Sequence, residues 1–271
     1  MDGNVLLALG LTLFAGLATG VGSLIAFFTS RTNTKFLSAA LGFSAGVMIY
    51  VSLVEIFVKA KDALTTALGA TNGYWMTLVG FFGGMIFIAL IDKFIPKKNN
   101  PHEVRTVEDV NAIESKPLAD ADKLMKMGTF TALAIAIHNF PEGIATFMSA
   151  LQDPNLGIAI AIAVAIHNIP EGIAVAVPIF FATGIRMKAF RLSLLSGLAE
   201  PIGALVAYLI LMPFLNDVMF GVVFAGVAGI MVFISLDELL PAAKKYDETH
   251  ISIYGLVAGM AVMAISLVLL T

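Results

Sequence analysis

The chain has 271 residues, of which 59% are apolar and only 13% are charged. A soluble domain carries roughly 25% charged residues, so a soluble protein of this composition could not cover its surface with polar groups. A membrane-spanning helix needs about 20 mainly apolar residues, which leaves room for roughly eight spans. Cysteine is absent, which excludes disulfides and thiolate metal sites. The net charge is −3 without a basic stripe, so nothing points to a nucleic-acid partner.

Eight helix-length apolar segments follow one another along the chain, rich in Ala, Leu, Ile, Gly and Phe. They lack the alternation that is typical of transmembrane β-strands. The sequence therefore predicts an all-α polytopic membrane protein, a bundle of eight transmembrane helices in a single domain covering residues 1–271. The predicted helices are 4–28, 35–58, 72–94, 127–150, 156–182, 190–211, 218–241 and 251–270. The first segment is too long for a cleavable signal peptide and lacks a positive start, so we expect it to remain a helix.

Basic residues predict the orientation in the membrane. If the loops alternate between the two sides, one side receives 14 of the 16 Lys and Arg residues, and only Lys59 and Lys61 fall on the other. The side rich in Lys and Arg is the cytoplasmic one. We therefore expect both termini outside the cytoplasm, in the plasma membrane, which in a bacterium is the inner membrane.

One long polar stretch, residues 95–122, separates the third and fourth predicted helices. Its many charges and few apolar residues predict a flexible loop, which the orientation above places in the cytoplasm. His102 lies there among carboxylates, where we favour a solvated linker over the alternative of a metal-sensing segment.

Carboxylates lie within the predicted spans, Glu142, Glu171 and Glu200 deeply and Glu55 nearer an end. A charge at the centre of a membrane helix costs on the order of 2.5–3.5 kcal/mol on insertion scales. No Lys or Arg lies deep in a predicted span to compensate them. Either these carboxylates are protonated, or an external cation visits them.

A duplicated motif favours the cation. The windows 134–148 and 163–177 are identical at ten of fifteen positions and share His-Asn-x-Pro-Glu-Gly-Ile-Ala. Residues four apart lie on one helix face, so each motif presents its histidine and glutamate together, as His138 with Glu142 and His167 with Glu171. Because consecutive spans are antiparallel, the two motifs can meet at one depth. Two imidazoles and two carboxylates suit Zn²⁺ and its first-row neighbours, and Asn139 and Asn168 add amide oxygens.

Prolines extend this pattern to a third helix. Pro141 and Pro170 each free the backbone carbonyl four residues earlier, which is tolerated at membrane depth only inside protein or along a cavity. The pair Glu200-Pro201 repeats the arrangement in the middle of the sixth span. We expect Glu200 to bridge to a second ion or to close the first site.

Other interpretations of the same residues remain. A single histidine often only bonds two helices and a single proline often only kinks one, but the duplication argues against both. The histidines and glutamates could instead form a proton relay, or serve a proton-coupled carrier of another substrate. An intramembrane metalloprotease would need His-Glu-x-x-His, which the chain lacks. We therefore expect a transporter and not an enzyme.

Three further carboxylates are candidate entrance or exit ligands. Glu55 ends the second span near the outer surface, where it is either an entrance ligand or a simple interfacial carboxylate. Asp237 and Glu238 end the seventh span on the cytoplasmic side. Pairing with Lys244 or Lys245 explains them more simply than an exit site does.

Several motifs occur together in the chain, namely HNFPEG and HNIPEG, the later AEP, and the segment SLDELLP at 235–241. Together with the eight spans and the polar loop after the third, they resemble the ZIP (Zrt/Irt-like) family of divalent metal transporters. The similarity is closest to the bacterial ZupT-like branch and covers nearly the whole chain. It implies import of zinc, with iron, cobalt, manganese or cadmium as further cargo, and commonly homodimers. The metal is then cargo in a lipid bilayer, and no cofactor is expected.

The resemblance also implies a binuclear centre on helices 4, 5 and 6. By position, one site has the ligands His138, Glu142, His167 and Glu171, and its neighbour has Asn139, Asn168 and Glu200 with the shared glutamates. Glu55 matches a helix-2 position that joins the transport path in the family. Many family members have an acid after the helix-5 histidine and a His-rich loop after helix 3. This chain has Asn168 and a single loop histidine, which makes its second site weaker.

Overall fold

The computed structural model of the protein describes residues 3–27, 34–94, 119–214, 216–245 and 250–270. Helices occupy nearly all of these residues, and no strand occurs within these ranges. Eight long helices follow one another along the chain, so the prediction of an all-α polytopic fold is confirmed.

Five of the eight helices are continuous. They are α1 (Gly3–Phe27), α3 (Ala70–Phe94), α4 (Ala119–Gln152), α5 (Pro154–Thr183) and α8 (Ile251–Leu270). The other three change helix type along their length. These are α2 (Thr34–Tyr50, π-helical Val51–Ile56, Phe57–Leu68), α6 (Arg186–Gly197, Ala199–Val206, π-helical Ala207–Leu211, 3₁₀ Met212–Phe214) and α7 (Asp217–Ile234, π-helical Ser235–Leu239, Leu240–Lys245).

Seven stretches of the described chain are long and apolar enough to cross a membrane. They are Gly3–Phe27, Ser38–Leu68, Ala70–Lys93, Pro154–Val177, Arg186–Phe214, Asp217–Lys244 and Ile251–Leu269. The remaining long helix is α4, whose 34 residues exceed the length that a span requires. Its average hydropathy is lowered by the charged residues of its first turns and by the polar motif at its centre.

Two helices extend beyond their predicted bounds. α2 continues past residue 58 to Leu68, because Ala60 and Leu64 bury one face of its last turns and Leu64 packs at Gly221 of α7. Gly69, with a positive φ of 82°, then ends it.

α4 begins at Ala119 and not near 127, so residues 119–122, which the sequence assigns to the loop, are helical. Alanines with aspartates in a first turn favour a helix start. The rest of the predicted loop, 95–118 with His102, lies outside the described residues.

The helices form two four-helix units. α1, α4, α5 and α6 pack on one another, and α2, α3, α7 and α8 do the same. The units meet where α7 packs against α4 and where α2 and α8 pack against α5. All seven residues of the predicted metal centre belong to the first unit, since they lie on α4, α5 and α6.

Glycines let the helices of each unit approach closely. Gly42 and Gly46, one turn apart on α2, lie directly against the backbone of Ser252 and Leu256 on α8. A Cβ at either glycine would overlap a carbonyl oxygen of α8. Close backbone approach through small residues is the usual source of helix association in lipid, where the hydrophobic effect does not act between helices.

Large apolar side chains cover the outer faces of the bundle. On α3 these include Trp75, Val79, Phe82 and Ile86, which are all more than half exposed. An exposed apolar belt of this kind is stable only against lipid tails, as expected for a membrane-embedded protein.

We expect Gly46→Ala to lower the thermal stability of the detergent-solubilised protein, by about 1–3 kcal/mol, because the added methyl group overlaps the α8 backbone. Gly83→Ala is the matched control, since a Cβ there meets nothing within 4 Å. The control variant should be as stable as the wild type or slightly more stable. A melting scan of both variants checks this, and equal stabilities would contradict the close α2–α8 contact.

Candidate metal centre

The two copies of the repeated motif meet inside the first unit, because α4 and α5 pack against each other along their length. His138 Nε2 lies 3.2 Å from Glu142 Oε1 of its own motif and 3.5 Å from Glu171 Oε1 of the other. His167 Nε2 lies 3.3 Å from the same Glu142 oxygen. The structure therefore gathers all four side chains around one point, as the spacing predicted.

Three of these side chains are close enough to hold one ion. Donor atoms of His138, Glu142 and His167 all lie within 4.8 Å of one another. The two imidazole rings are 6.4 Å apart between centroids and inclined at 63°. Glu171 completes the group through its contact with His138. Two imidazole nitrogens with carboxylate oxygens match the ligand preference of Zn²⁺.

A second polar cluster adjoins the first. The Asn168 side-chain nitrogen donates to the Ala15 carbonyl of α1 at 2.9 Å and to Glu200 Oε1 of α6. Asn168 Oδ1 and Glu200 Oε2 have no hydrogen-bond partner. The cluster therefore offers one amide oxygen and one carboxylate oxygen beside the first group.

Oxygen atoms flank the Asn139 amide on both sides. On one side lies the Ser196 carbonyl at 3.3 Å, and on the other lie Glu171 Oε2 and the Ile135 carbonyl, each also at 3.3 Å. The amide nitrogen can donate to only one side. Turned so that its nitrogen faces α4 and α5, the amide donates both to Glu171 Oε2 and to the Ile135 carbonyl, which ties Asn139 to the first cluster.

A glycine brings the third helix to the site. Gly143 of α4 follows Glu142 and lies so close to the backbone of Glu200 that a Cβ would overlap the Glu200 carbonyl. In the reciprocal contact, Gly203 of α6 lies against the Phe140 carbonyl of α4. The Gly of the repeated motif therefore sets the distance between α4 and α6, and with it the distance between the two clusters.

All seven residues of the centre are buried, and none exposes more than 3% of its surface. The only ion-pair partners of Glu142 and Glu171 among the described residues are His138 and His167. Three carboxylates thus share a buried region with two imidazoles and two amides. An arrangement of this charge is costly in a membrane unless protons or a metal cation neutralise it.

The three outlying carboxylates lie in π-helical segments of the second unit. Glu55 is half-buried and its Oε1 lies 3.4 Å from Lys59 Nζ, one turn further along α2. Asp237 is exposed, whereas Glu238 is half-buried on α7. Electrostatic interactions of Glu238 reach both His138 and Glu171, so it contributes to the field of the centre. π-helical turns are often found at functional sites.

Sequence reasoning missed the supports of the centre. Ala15 fixes Asn168 through its carbonyl, and Ser193 of α6 donates to the carbonyls of Thr19 at 3.3 Å and Gly172 at 3.2 Å. Backbone carbonyls leave no signature in a sequence. The polar residues Thr19 and Ser193 within apolar spans were the only available signal.

The long apolar helices are those of a polytopic membrane protein. The histidine, asparagine and glutamate side chains buried among them form a candidate set of metal ligands. The family model described as "ZIP Zinc transporter" matches residues 3–267. The chain belongs to this family, so the resemblance drawn from the motifs is confirmed.

Close relatives match over their full length. "Zinc transporter ZupT" of Lysinibacillus sphaericus (strain C3-41) is 86% identical over 270 residues, which cover 100% of both chains. The protein of that name from Oceanobacillus iheyensis is 73% identical, over 98% of this chain and 99% of its own. Its counterpart in Clostridium perfringens (strain 13 / Type A) is 61% identical, over 98% and 96%.

Because His138 and His167 contact the same oxygen of Glu142, we expect their contributions to zinc binding to be coupled. Each single change, His138→Ala or His167→Ala, should weaken binding by roughly one to three powers of ten, and the double change by less than the sum of the two free energies. Zinc titration calorimetry in detergent measures this cycle. His250→Ala, at an exposed histidine before α8, is the control and should bind like the wild type. Additive losses would mean that the two histidines serve separate sites.

Proposed function

We propose that the protein imports divalent transition-metal cations into the cytoplasm, zinc first among them, through a binuclear centre at mid-membrane. His138, Glu142, His167 and Glu171 bind one ion. Asn139, Asn168 and Glu200 bind its neighbour together with the shared glutamates. Iron, cobalt, manganese and cadmium have the same preference for such ligands and are the further candidate cargo.

The observation that carries this proposal is the set of buried oxygen atoms without hydrogen-bond donors. Glu200 Oε2 and Asn168 Oδ1 lack one altogether. Glu142 Oε1 and Glu171 Oε1 face only imidazole nitrogens, at 3.2–3.5 Å and without hydrogen-bond geometry. A buried acceptor without a donor is rare in proteins and costly at membrane depth. Divalent cations held among these oxygens supply the missing positive charge. The names of the relatives, each a zinc transporter, support zinc as the cargo.

A proton-coupled carrier of another substrate is the alternative. The glutamates and histidines could carry protons, but amides cannot. Asn139 and Asn168 nevertheless occupy the same position in both motifs, and Asn168 bonds to Glu200. Amide oxygens next to carboxylates are useful for coordinating a metal, which favours metal transport over a proton relay.

Direction and orientation complete the proposal. The distribution of Lys and Arg favours both termini outside the cytoplasm and the stretch 95–122 inside. Import from the outer face follows from the family resemblance, which also favours a homodimer. Glu55 on α2 and Asp237 and Glu238 on α7 then lie toward opposite sides of the membrane, as candidate entrance and exit ligands.

Uptake of zinc into proteoliposomes should depend more on the glutamates than on the histidines. Glu142→Gln and Glu171→Gln keep the side-chain shape but remove the charge that offsets the dehydration of the ion. Neutral imidazoles contribute no such charge. We expect each glutamine variant to lose more of the initial uptake rate than His138→Ala or His167→Ala. Fluorescence of a trapped zinc indicator measures the rate.

Glu108→Gln, in the polar stretch between α3 and α4, makes the same chemical change at a residue that is not one of the seven of the centre, and it should transport normally. Uptake of the two glutamine variants at the wild-type rate would refute the metal centre. An organic substrate carried by the wild type without any metal would favour the alternative. Competition among divalent first-row ions, with an imposed pH gradient, ranks the cargo and tests proton coupling.

The orientation has its own test. Protease added to inverted membrane vesicles should cleave within residues 95–118, whereas right-side-out vesicles should be protected. Partial deletion of that stretch should leave folding intact, since it has too few apolar residues to form a core. Cleavage only in right-side-out vesicles would reverse the direction of transport that we propose.

A further inference from the structure

Two hydroxyl residues continue the metal-binding face of α4. Thr146 is four residues beyond Glu142 and Ser149 is seven beyond it, so both side chains lie on the helix face that carries the glutamate. They lie between the metal centre and the end of α4 at Gln152, which is the outer end in the orientation proposed above.

Both hydroxyl groups are fully buried and have no hydrogen-bond partner. Thr19, Ser44 and Ser52 are likewise without a partner, so it is their position on the face of Glu142 that sets Thr146 and Ser149 apart. Several other Ser and Thr side chains in the bundle bond to the carbonyl four residues earlier in their own helix. Thr77 does so to Gly73 at 2.8 Å, Thr183 to Ile179 at 2.7 Å and Ser235 to Met231 at 2.7 Å. This bond is the common solution for a hydroxyl in a membrane helix. Thr146 and Ser149 do not use it.

A cavity lies at the outer end of the same helix. It has a volume of about 370 Å³ and its polar lining includes Asn4, Gln152 and Asp217. On α4, Met148, Leu151 and Gln152 line it, and Gln152 is three residues beyond Ser149, so the cavity begins about one turn beyond the last hydroxyl. The distance along the axis from Glu142 to Gln152 is roughly 15 Å. The carboxylate of Asp217 gives this cavity an acidic group at the beginning of α7.

We propose that Thr146 and Ser149 line the route by which the cation passes from this outer cavity to the metal centre. The proposal rests on the transport function proposed above. A hydrated divalent cation loses its water gradually, and hydroxyl oxygens one turn apart replace part of that shell between the cavity and Glu142. The free hydroxyls are then ligands that the passing ion uses, and their burial keeps the route closed to bulk water between transfers.

The absence of cysteine provides a direct test. Thr146→Cys and Ser149→Cys each introduce the only thiol in the chain. A membrane-impermeant methanethiosulfonate reagent is added to the outer face of right-side-out vesicles. We expect both thiols to react when the route opens during transport, that of Ser149→Cys faster because it lies nearer the cavity, and Cd²⁺ to slow both reactions.

Thr77→Cys is the matched control, because Thr77 is equally buried but bonds its own helix. A thiol packed there reacts only through local unfolding, so we expect it to react at least about tenfold more slowly. Rates for Thr146→Cys and Ser149→Cys that equal the control rate would overturn the proposal. Reaction only from the cytoplasmic face would overturn it as well.

A second experiment separates a route from a binding site. Thr146→Val and Ser149→Ala should slow zinc uptake into proteoliposomes several-fold, while zinc affinity at equilibrium in detergent stays at the wild-type value. Thr77→Val controls for the loss of a buried hydroxyl. If Thr146→Val and Ser149→Ala take up zinc normally while the wild type is active, the proposed route is refuted but the transport function is not. A wild type that moves no metal would refute the transport function itself.

Discussion

The structure depends on one electrostatic problem, which is how to keep three carboxylates inside a membrane bundle without a basic side chain beside them. Glu142 and Glu171 meet only histidines as ion-pair partners in the part of the chain that the structure describes, and Glu200 accepts from Asn168. Burying such groups uncompensated would cost several kcal/mol each. We propose that a divalent cation, held among the imidazole nitrogens and the asparagine and carbonyl oxygens around them, supplies the balance.

The rest of the first unit serves this arrangement. Proline residues within α4, α5 and α6 give up helix hydrogen bonds next to the glutamates, and glycines bring the helix backbones together at the same level. Gly143 lies against Glu200, and Gly172 of α5 lies against the Thr19 carbonyl of α1. The repeated Pro-Glu-Gly sequence therefore combines a proline that frees the carbonyl four residues earlier, a buried carboxylate and a close helix contact. Because these contacts are between backbones, packing fixes the spacing of the helices that carry the buried side chains.

The sequence predicted the class of fold and the meeting of the motif side chains of α4 and α5 because both arise from strong local patterns. The length of the apolar segments predicted the spans. The duplicated motif, with a histidine and a glutamate four residues apart in each copy, predicted which faces of α4 and α5 meet. Glu200 required a weaker argument, from depth and its neighbouring proline. Its bond to Asn168 depends on how the two helical segments of α6 continue across Leu198, which no residue spacing specifies.

Features that depend on tertiary packing were missed. The last turns of α2 read as a loop because Lys59, Lys61 and Asp62 interrupt the apolar pattern, yet burial of Leu64 extends the helix. The Ala15 carbonyl and the free hydroxyls of Thr146 and Ser149 are invisible in a sequence, because any residue has a carbonyl and a membrane hydroxyl normally bonds to its own helix.

Anomalous diffraction at the zinc absorption edge, from crystals of the zinc-loaded protein, tests the central claim most directly. The account predicts a strong peak about 2.0–2.2 Å from His138 Nε2, His167 Nε2 and an oxygen of Glu142. A second, weaker peak is predicted beside Glu200 and Asn168. A zinc peak confined to the loop around His102 or to the outer cavity, with none between α4 and α5, would contradict it.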